Sequence, residues 1–229
     1  MEDGLTQILW DWNGTLLDDV EICRAVLNGM LGRRGIAPVS LERYREIFTF
    51  PIREYYRLAG FDFSRESYET LAEEYMRIYP REARRAALVP GAEQALRRFQ
   101  AAGIRQTIIS ACETHMLRKQ AEQFGVARYF DGIYGAEDGL GGGKEAVARS
   151  WLSLSGGTAA GQTLFIGDTL HDCEAARAIG CRPILVSFGH QDRSRLKASG
   201  ATVIDRFEEL YPTVFEKDQR EKGDGVDGQ

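Results

Sequence analysis

Short apolar runs that end in a polar residue or a turn recur along this chain, and amphipathic stretches separate most of them. Residues 8–10, 107–109, 132–134, 164–166 and 184–187 read as buried strands, with 201–204 as a last edge strand. Residues 91–102, 115–124, 144–154, 173–179 and 193–198 read as helices between them. Strand alternating with helix predicts an α/β fold, a Rossmann-like parallel sheet joined by right-handed crossovers.

Residues 17–88 break this rhythm. Only helical patterns occur there, over 20–33, 41–48, 53–58 and 67–79. Leu27, Met30 and Leu31 sit at helical spacing, and Pro38, Pro51 and Pro80 punctuate the segments. The expectation is an all-helical cap over 17–88, inserted after the first strand. The core then comprises 1–16 and 89–215. Residues 216–229 are charged and glycine-containing, with Val226 as the one apolar residue, and read as a disordered tail.

Composition narrows the class. The chain has 229 residues, 43% hydrophobic and 28% charged, with a net charge of −5. That is globular composition without the broad basic field that nucleic acid would favour. No apolar run approaches the roughly 20 residues of a membrane span, and the acidic start is unlike a signal peptide. Cys23, Cys112, Cys173 and Cys181 form no Cys-x-x-Cys pair, and the three histidines give no zinc spacing. Reduced cysteines in a cytoplasmic protein, monomeric or homodimeric, are expected.

The candidate chemistry lies at the ends of the apolar runs, where open α/β sheets place their ligands. In chain order the signals are Asp11-Trp12-Asn13-Gly14-Thr15, then Thr107-Ile108-Ile109-Ser110, then Gly141-Gly142-Gly143-Lys144, then Gly167-Asp168-Thr169-Leu170-His171-Asp172. Each has a plain reading alone. Asp11 could be a turn residue or cap, Ser110 a helix cap, Lys144 an exposed lysine, and Gly167-Asp168 a turn. Together they suit phosphoryl transfer, which is mostly positioning and charge neutralisation. A carboxylate can attack phosphorus, and a lysine and a hydroxyl can bind phosphate oxygens. Asp11 facing Asp168 without a cation would be repulsive, so the pair implies a hard, oxygen-seeking ion such as Mg²⁺.

This order of motifs resembles the haloacid dehalogenase-like hydrolases, and the helical insert resembles their C1 cap. The similarity runs from about Ile8 to Phe207 and points to the phosphoglycolate phosphatase-like branch. It implies a phosphatase acting on a small phosphorylated metabolite, a phosphoglycolate-like monoester. By resemblance, Asp11 is nucleophile and Mg²⁺ ligand, and Ser110, Ala111 and Lys144 bind phosphate. Asp168 is an acidic metal ligand, Asp172 supports the metal's water shell, and Asn13 offers its backbone carbonyl to the metal.

Asn13 is the departure. The family carries aspartate there, as general acid and base. An amide cannot exchange that proton near neutral pH, and losing a general acid costs roughly 10²–10⁴-fold. A phosphatase weakened at this step follows, suited to leaving groups of low pKa. The alternative is a low-turnover phosphate-ligand binding or regulatory protein. Asn13-Gly14 is also a deamidation-prone pair, which would regenerate an acid. Lysine-dependent phosphonate cleavage is disfavoured, because the first lysine is Lys119, beyond the cap. A metal-free dehalogenase is disfavoured by Asp168 and Asp172, and a phosphosugar mutase by the missing acid.

The insert is rich in arginine. Most of these arginines read as solvated helix faces. Arg53, after Phe48-Thr49-Phe50-Pro51-Ile52, is the candidate contact to an anionic group on the substrate. Tyr55 and Tyr56 lie just beyond. His115 reads as a helix-surface residue or a proton donor near the site, and Trp12 as packing beside the nucleophile.

Overall fold

The computed structural model describes residues 4–136, 143–156 and 160–215. Gly141, Gly142 and the expected tail 216–229 lie outside the described residues. In chain order the strands are β1 (Gln7–Trp10), β2 (Leu17–Asp18), β3 (Ala87–Leu88), β4 (Arg105–Glu113), β5 (Gly132–Ala136), β6 (Thr163–Gly167), β7 (Arg182–Val186) and β8 (Thr202–Ile204). The helices are α1 (Val20–Gly32), α2 (Leu41–Ile47), α3 (Ile52–Ala59), α4 (Tyr68–Glu82), α5 (Ala92–Ala101), α6 (Thr114–Gln123), α7 (Lys144–Leu154), α8 (Leu170–Ala178), α9 (Arg193–Ala198) and α10 (Leu210–Phe215).

One six-stranded sheet forms the core, in the order β5-β4-β1-β6-β7-β8. All its pairings are parallel. Parallel sheets are covered on both faces, so their strands carry apolar residues on both. Here Ile8, Trp10, Ile108 and Ile166 pack on one side, and Leu9, Ile109 and Phe165 on the other. The chain leaves β1 for β4 on one side and later returns to β6 on the other. The carboxyl ends of β1, β4 and β6 therefore meet at a topological switch point.

Helices α1–α4 close around an apolar cluster of their own, which includes Leu27, Met30, Leu31 and Tyr44. Leu27 is fully buried, so truncation to alanine would cost about 2–5 kcal/mol. The expected helix-only insert needs correction. Its two ends pair as an antiparallel ribbon, Leu17 with Leu88 and Asp18 with Ala87. Two-residue strands carry no periodicity to read, and only their pairing defines them. Pro80 lies inside α4 rather than ending it. The terminal helix α10 was also not expected from the pattern.

The cap docks on the core through several hydrogen bonds. Arg45 Nε and Nη2 donate to the Gly189 and Phe188 carbonyls at 3.0 and 2.7 Å. Gln191 Nε2 and Arg195 Nη1 donate to the Phe48 carbonyl at 2.9 and 2.8 Å. Phe48 stacks on His190, and Phe50 on His171.

Candidate active site

Asp11 directly follows β1, and its backbone N–H donates to the Ile166 carbonyl at 2.8 Å. That bond ties the start of the loop to the neighbouring strand. The loop then turns at Gly14, whose φ is +72°. A Cβ there would strike the Asp168 carboxylate and the His190 ring. Glycine is thus required both for the turn and for the close approach of β6 and β7. Gly167 serves β6 similarly, because a Cβ would run into Asp172.

Asp11, Asp168 and Asp172 are all buried, and an oxygen from each lies within 4.8 Å of the others. Lys144 opens α7 and is buried with them. Its Nζ lies 2.7 Å from Asp11 Oδ1 and also bonds Asp172. Thr15 Oγ1 donates toward Asp168 Oδ1 at 3.2 Å. Burial, then the Asp172 charge, push the Asp11 carboxyl well above its usual range, against the pull of Lys144. Burial raises Asp168 too. Burial would lower Lys144, but the charges of Asp11 and Asp172 outweigh it and hold the ammonium protonated.

Three crowded carboxylates against one ammonium leave excess negative charge. The donors are all oxygen, which fits a hard divalent ion rather than a thiophilic one. Asp172 has a further task. One oxygen takes Lys144, and the other accepts from Thr169 N–H and Oγ1 at 2.9 and 2.6 Å, completing a capping box on α8.

Ser110 and Ala111 reach the site by an irregularity. The β4–β5 register shifts between Ile109 and Glu113. Ser110 is therefore within β4, not at its end as the sequence pattern suggested. A break in the ladder frees backbone groups and re-aims side chains. Both residues line the cavity above Asp11. Ser110 does not cap α6, since Glu113 does so through His115 N–H and Met116 N–H.

Asn13 shows the largest surprise. Its Nδ2 donates to Asp19 Oδ2 at 2.8 Å and to the Tyr79 hydroxyl at 2.6 Å. Tyr79, on α4 of the cap, in turn donates to Asp19 at 2.7 Å. Gly14 N–H donates to Asp19 Oδ1 at 2.9 Å. His190 follows β7, with Nε2 at 3.3 Å from Asp19 and Nδ1 at 2.8 Å from the Tyr44 hydroxyl. Burial opposes charge on both partners. Their mutual attraction prevails, holding His190 above its ordinary pKa and Asp19 below. With Gly14 N–H and the Asn13 amide both engaged, the backbone attack that starts deamidation is restrained.

Sequence reasoning missed Asp19, Tyr79 and His190. His190 could have been found by the strand-end rule, because Ser187-Phe188-Gly189-His190 follows an apolar run. His171 was also missed: its Nε2 accepts the Lys144 N–H at 2.9 Å and so fixes the start of α7.

Arg53 is not brought to the site. Its side chain is exposed, stands 5.2 Å from the Phe63 ring centroid, and does not line the cavity. The residue is the second of α3 and stays exposed, whereas Tyr55 and Tyr56 in the same helix are buried. His115 is exposed on α6. Trp12 is fully buried and donates to Gln120 at 2.9 Å, a packing role.

The profile of haloacid dehalogenase-like hydrolases matches residues 8–186. The chain belongs to that family. It is 27% identical over 212 residues to a phosphoglycolate phosphatase from Pseudomonas fluorescens, covering 90% of this chain and 78% of that one. A phosphoglycolate phosphatase from Neisseria gonorrhoeae is 26% identical, with 94% of each chain covered. Among solved structures, a predicted phosphatase from Clostridium acetobutylicum superposes with a TM-score of 0.77 at 24% identity, over 93% of this chain and 99% of that one. The hydrolase family and these relatives place the chain among phosphatase enzymes of the phosphoglycolate phosphatase-like branch. Among the described residues no helix is long and apolar enough to cross a membrane.

Proposed function

We propose that this chain is a Mg²⁺-dependent phosphatase that hydrolyses a small phosphate monoester through an aspartyl-phosphate on Asp11. One observation carries the reading: Lys144 Nζ sits 2.7 Å from Asp11 Oδ1, inside a buried acid cluster that opens into the cavity. Nucleophile and phosphate-binding cation are thus already side by side.

Asp11, Asp168 and the Asn13 backbone carbonyl would hold the ion, which supplies charge neutralisation for phosphate oxygens. Lys144, Ser110 and the Ala111 backbone orient the phosphoryl group. An Asp11 oxygen attacks phosphorus, and the bond from phosphorus to the alcohol oxygen breaks. Water then attacks the acyl-phosphate, releasing inorganic phosphate and restoring Asp11. Asp172 keeps Lys144 aimed at Asp11. Asn13 supplies no proton to the leaving oxygen, so turnover is reduced by roughly 10²–10⁴-fold against an acid at that position.

A second reading has its own observation. The Asn13 amide is bound on both sides by Asp19 and Tyr79, which suits a protein that holds a phosphate ligand with little turnover. Phosphate release by wild type, Asp11→Asn and Asn13→Asp, across monoesters and acyl phosphates with Mg²⁺, separates the two. Wild-type activity lost in Asp11→Asn upholds the phosphatase. A silent wild type revived by Asn13→Asp favours the binding protein.

A further inference from the structure

The cavity over Asp11 has a volume of about 220 Å³. An apolar cavity of about 150 Å³ accommodates benzene, so this one has room for a phosphoryl group and a single ring. The cap supplies most of its wall. Phe48, Phe50, Tyr55, Tyr56, Tyr68 and Met76 all line it. Aromatic faces and a polarizable thioether are good partners for another ring.

The charges of the wall select against an anionic alcohol portion. Among the described lining residues no arginine occurs. The lining cations are Lys144, held by Asp11 and Asp172, and His190, held by Asp19. Glu113 adds one more carboxylate to the wall and no cation. A desolvated carboxylate without a free cation is costly. Three cap arginines are paired elsewhere: Arg34 with Glu66 and Glu74, Arg33 with Glu74, and Arg57 with Glu54.

We infer that the substrate's alcohol portion is an uncharged aromatic group, seated between the cap's rings while its phosphate meets Asp11. This deepens the phosphatase reading and rests on it. It also fits Asn13. Aromatic alcohols that leave as phenolates need little protonation, so an aryl ester tolerates the missing acid better than an alkyl one.

The test must separate ring recognition from leaving-group acidity. Benzyl phosphate and propyl phosphate both release an alkoxide-type oxygen, and only one carries a ring. With Mg²⁺-loaded wild type, kcat/KM for benzyl phosphate is expected at least tenfold above that for propyl phosphate, chiefly through KM. Phosphoglycolate is expected below both. Ala72→Phe, which fills the wall with a ring of the protein's own, should bring the benzyl-to-propyl ratio toward one. Equal KM for benzyl and propyl phosphate, or phosphoglycolate as the best of the three, overturns the inference and leaves the phosphatase reading standing. No release from any ester or from acetyl phosphate sinks the phosphatase reading instead. Calorimetric titration of both esters then decides the inference: tighter benzyl phosphate binding upholds it, and equal binding overturns it.

Discussion

The Asn13 amide nitrogen lies 2.8 Å from a carboxylate oxygen of Asp19, and the same oxygen takes the Tyr79 hydroxyl. The family's acid at position 13 is therefore absent here, while a different buried carboxylate stands directly behind the position. Asn13 and Asp19 are chemically matched: an amide donates where an aspartate would repel. The relationship makes Asn13 part of a closed network rather than an isolated loss.

Asn13→Asp would place two carboxylates in contact, and one of them would have to bind a proton. The new acid's pKa rises, which suits a general acid. Hydrolysis of alkyl phosphates should rise by about 10²-fold. Stability at pH 8 should fall by about 1–3 kcal/mol, and by less at pH 5, where the pair shares a proton. Adding Asp19→Asn should remove the repulsion but also the partner of His190, so stability should be regained only in part. Denaturant unfolding of the single and double variants at both pH values measures this.

The His190–Asp19 pair ties the start of the cap to the loop after β7 and sets a pH window. His190 titrates above its ordinary value of 6.5, so its stabilisation is complete below 6.5 and is lost as pH climbs through the raised value. Asp19 titrates below its ordinary 3.8, so its share is present above 3.8 and is lost as pH falls through the lowered value. Between those limits, His190→Gln should cost about 3 kcal/mol. The deficit should shrink at higher pH without vanishing, because stacking on Phe48 is also lost. Melting curves from pH 4 to 9 provide the check.

Metal should stabilise the fold because it relieves crowding among Asp11, Asp168 and Asp172. At about one hundred times its dissociation constant, Mg²⁺ is worth about 2.7 kcal/mol. Asp168→Asn should abolish most of that gain. Thermal melts with Mg²⁺ and with chelator compare the two proteins, and an unchanged Mg²⁺ response in the variant would contradict the assignment.

Arg45 reads as the latch of the cap. It donates to the Gly189 and Phe188 carbonyls, beside His190. Charged hydrogen bonds to backbone contribute about 1.5–3 kcal/mol, so Arg45→Ala should loosen cap from core by roughly that amount. Amide exchange should quicken around residues 188–191 and in α2, and substrate KM should rise. Exchange confined to the cap's outer helices would argue against a latch.

The sequence by itself determined the sheet, the strand-end positions of Asp11 and Asp168, and Lys144 at the start of a helix. Apolar runs closed by turns are local signals, and a parallel sheet gathers their carboxyl ends at one edge. The same logic marks Asn13 as a departure, since the motif around it is contiguous. What surrounds Asn13 was decided only in three dimensions. Tyr79 is 66 positions away along the chain, and His190 follows another strand. Periodicity tells which face of a helix is buried, but not what it is buried against. Arg53 illustrates the limit: its place after Phe48-Thr49-Phe50-Pro51-Ile52 marked it as a substrate contact, yet it lies exposed beside Phe63 while Tyr55 and Tyr56 are buried. The aromatic wall over Asp11 likewise exists only once the ribbon of β2 and β3 folds the cap back across the sheet's edge.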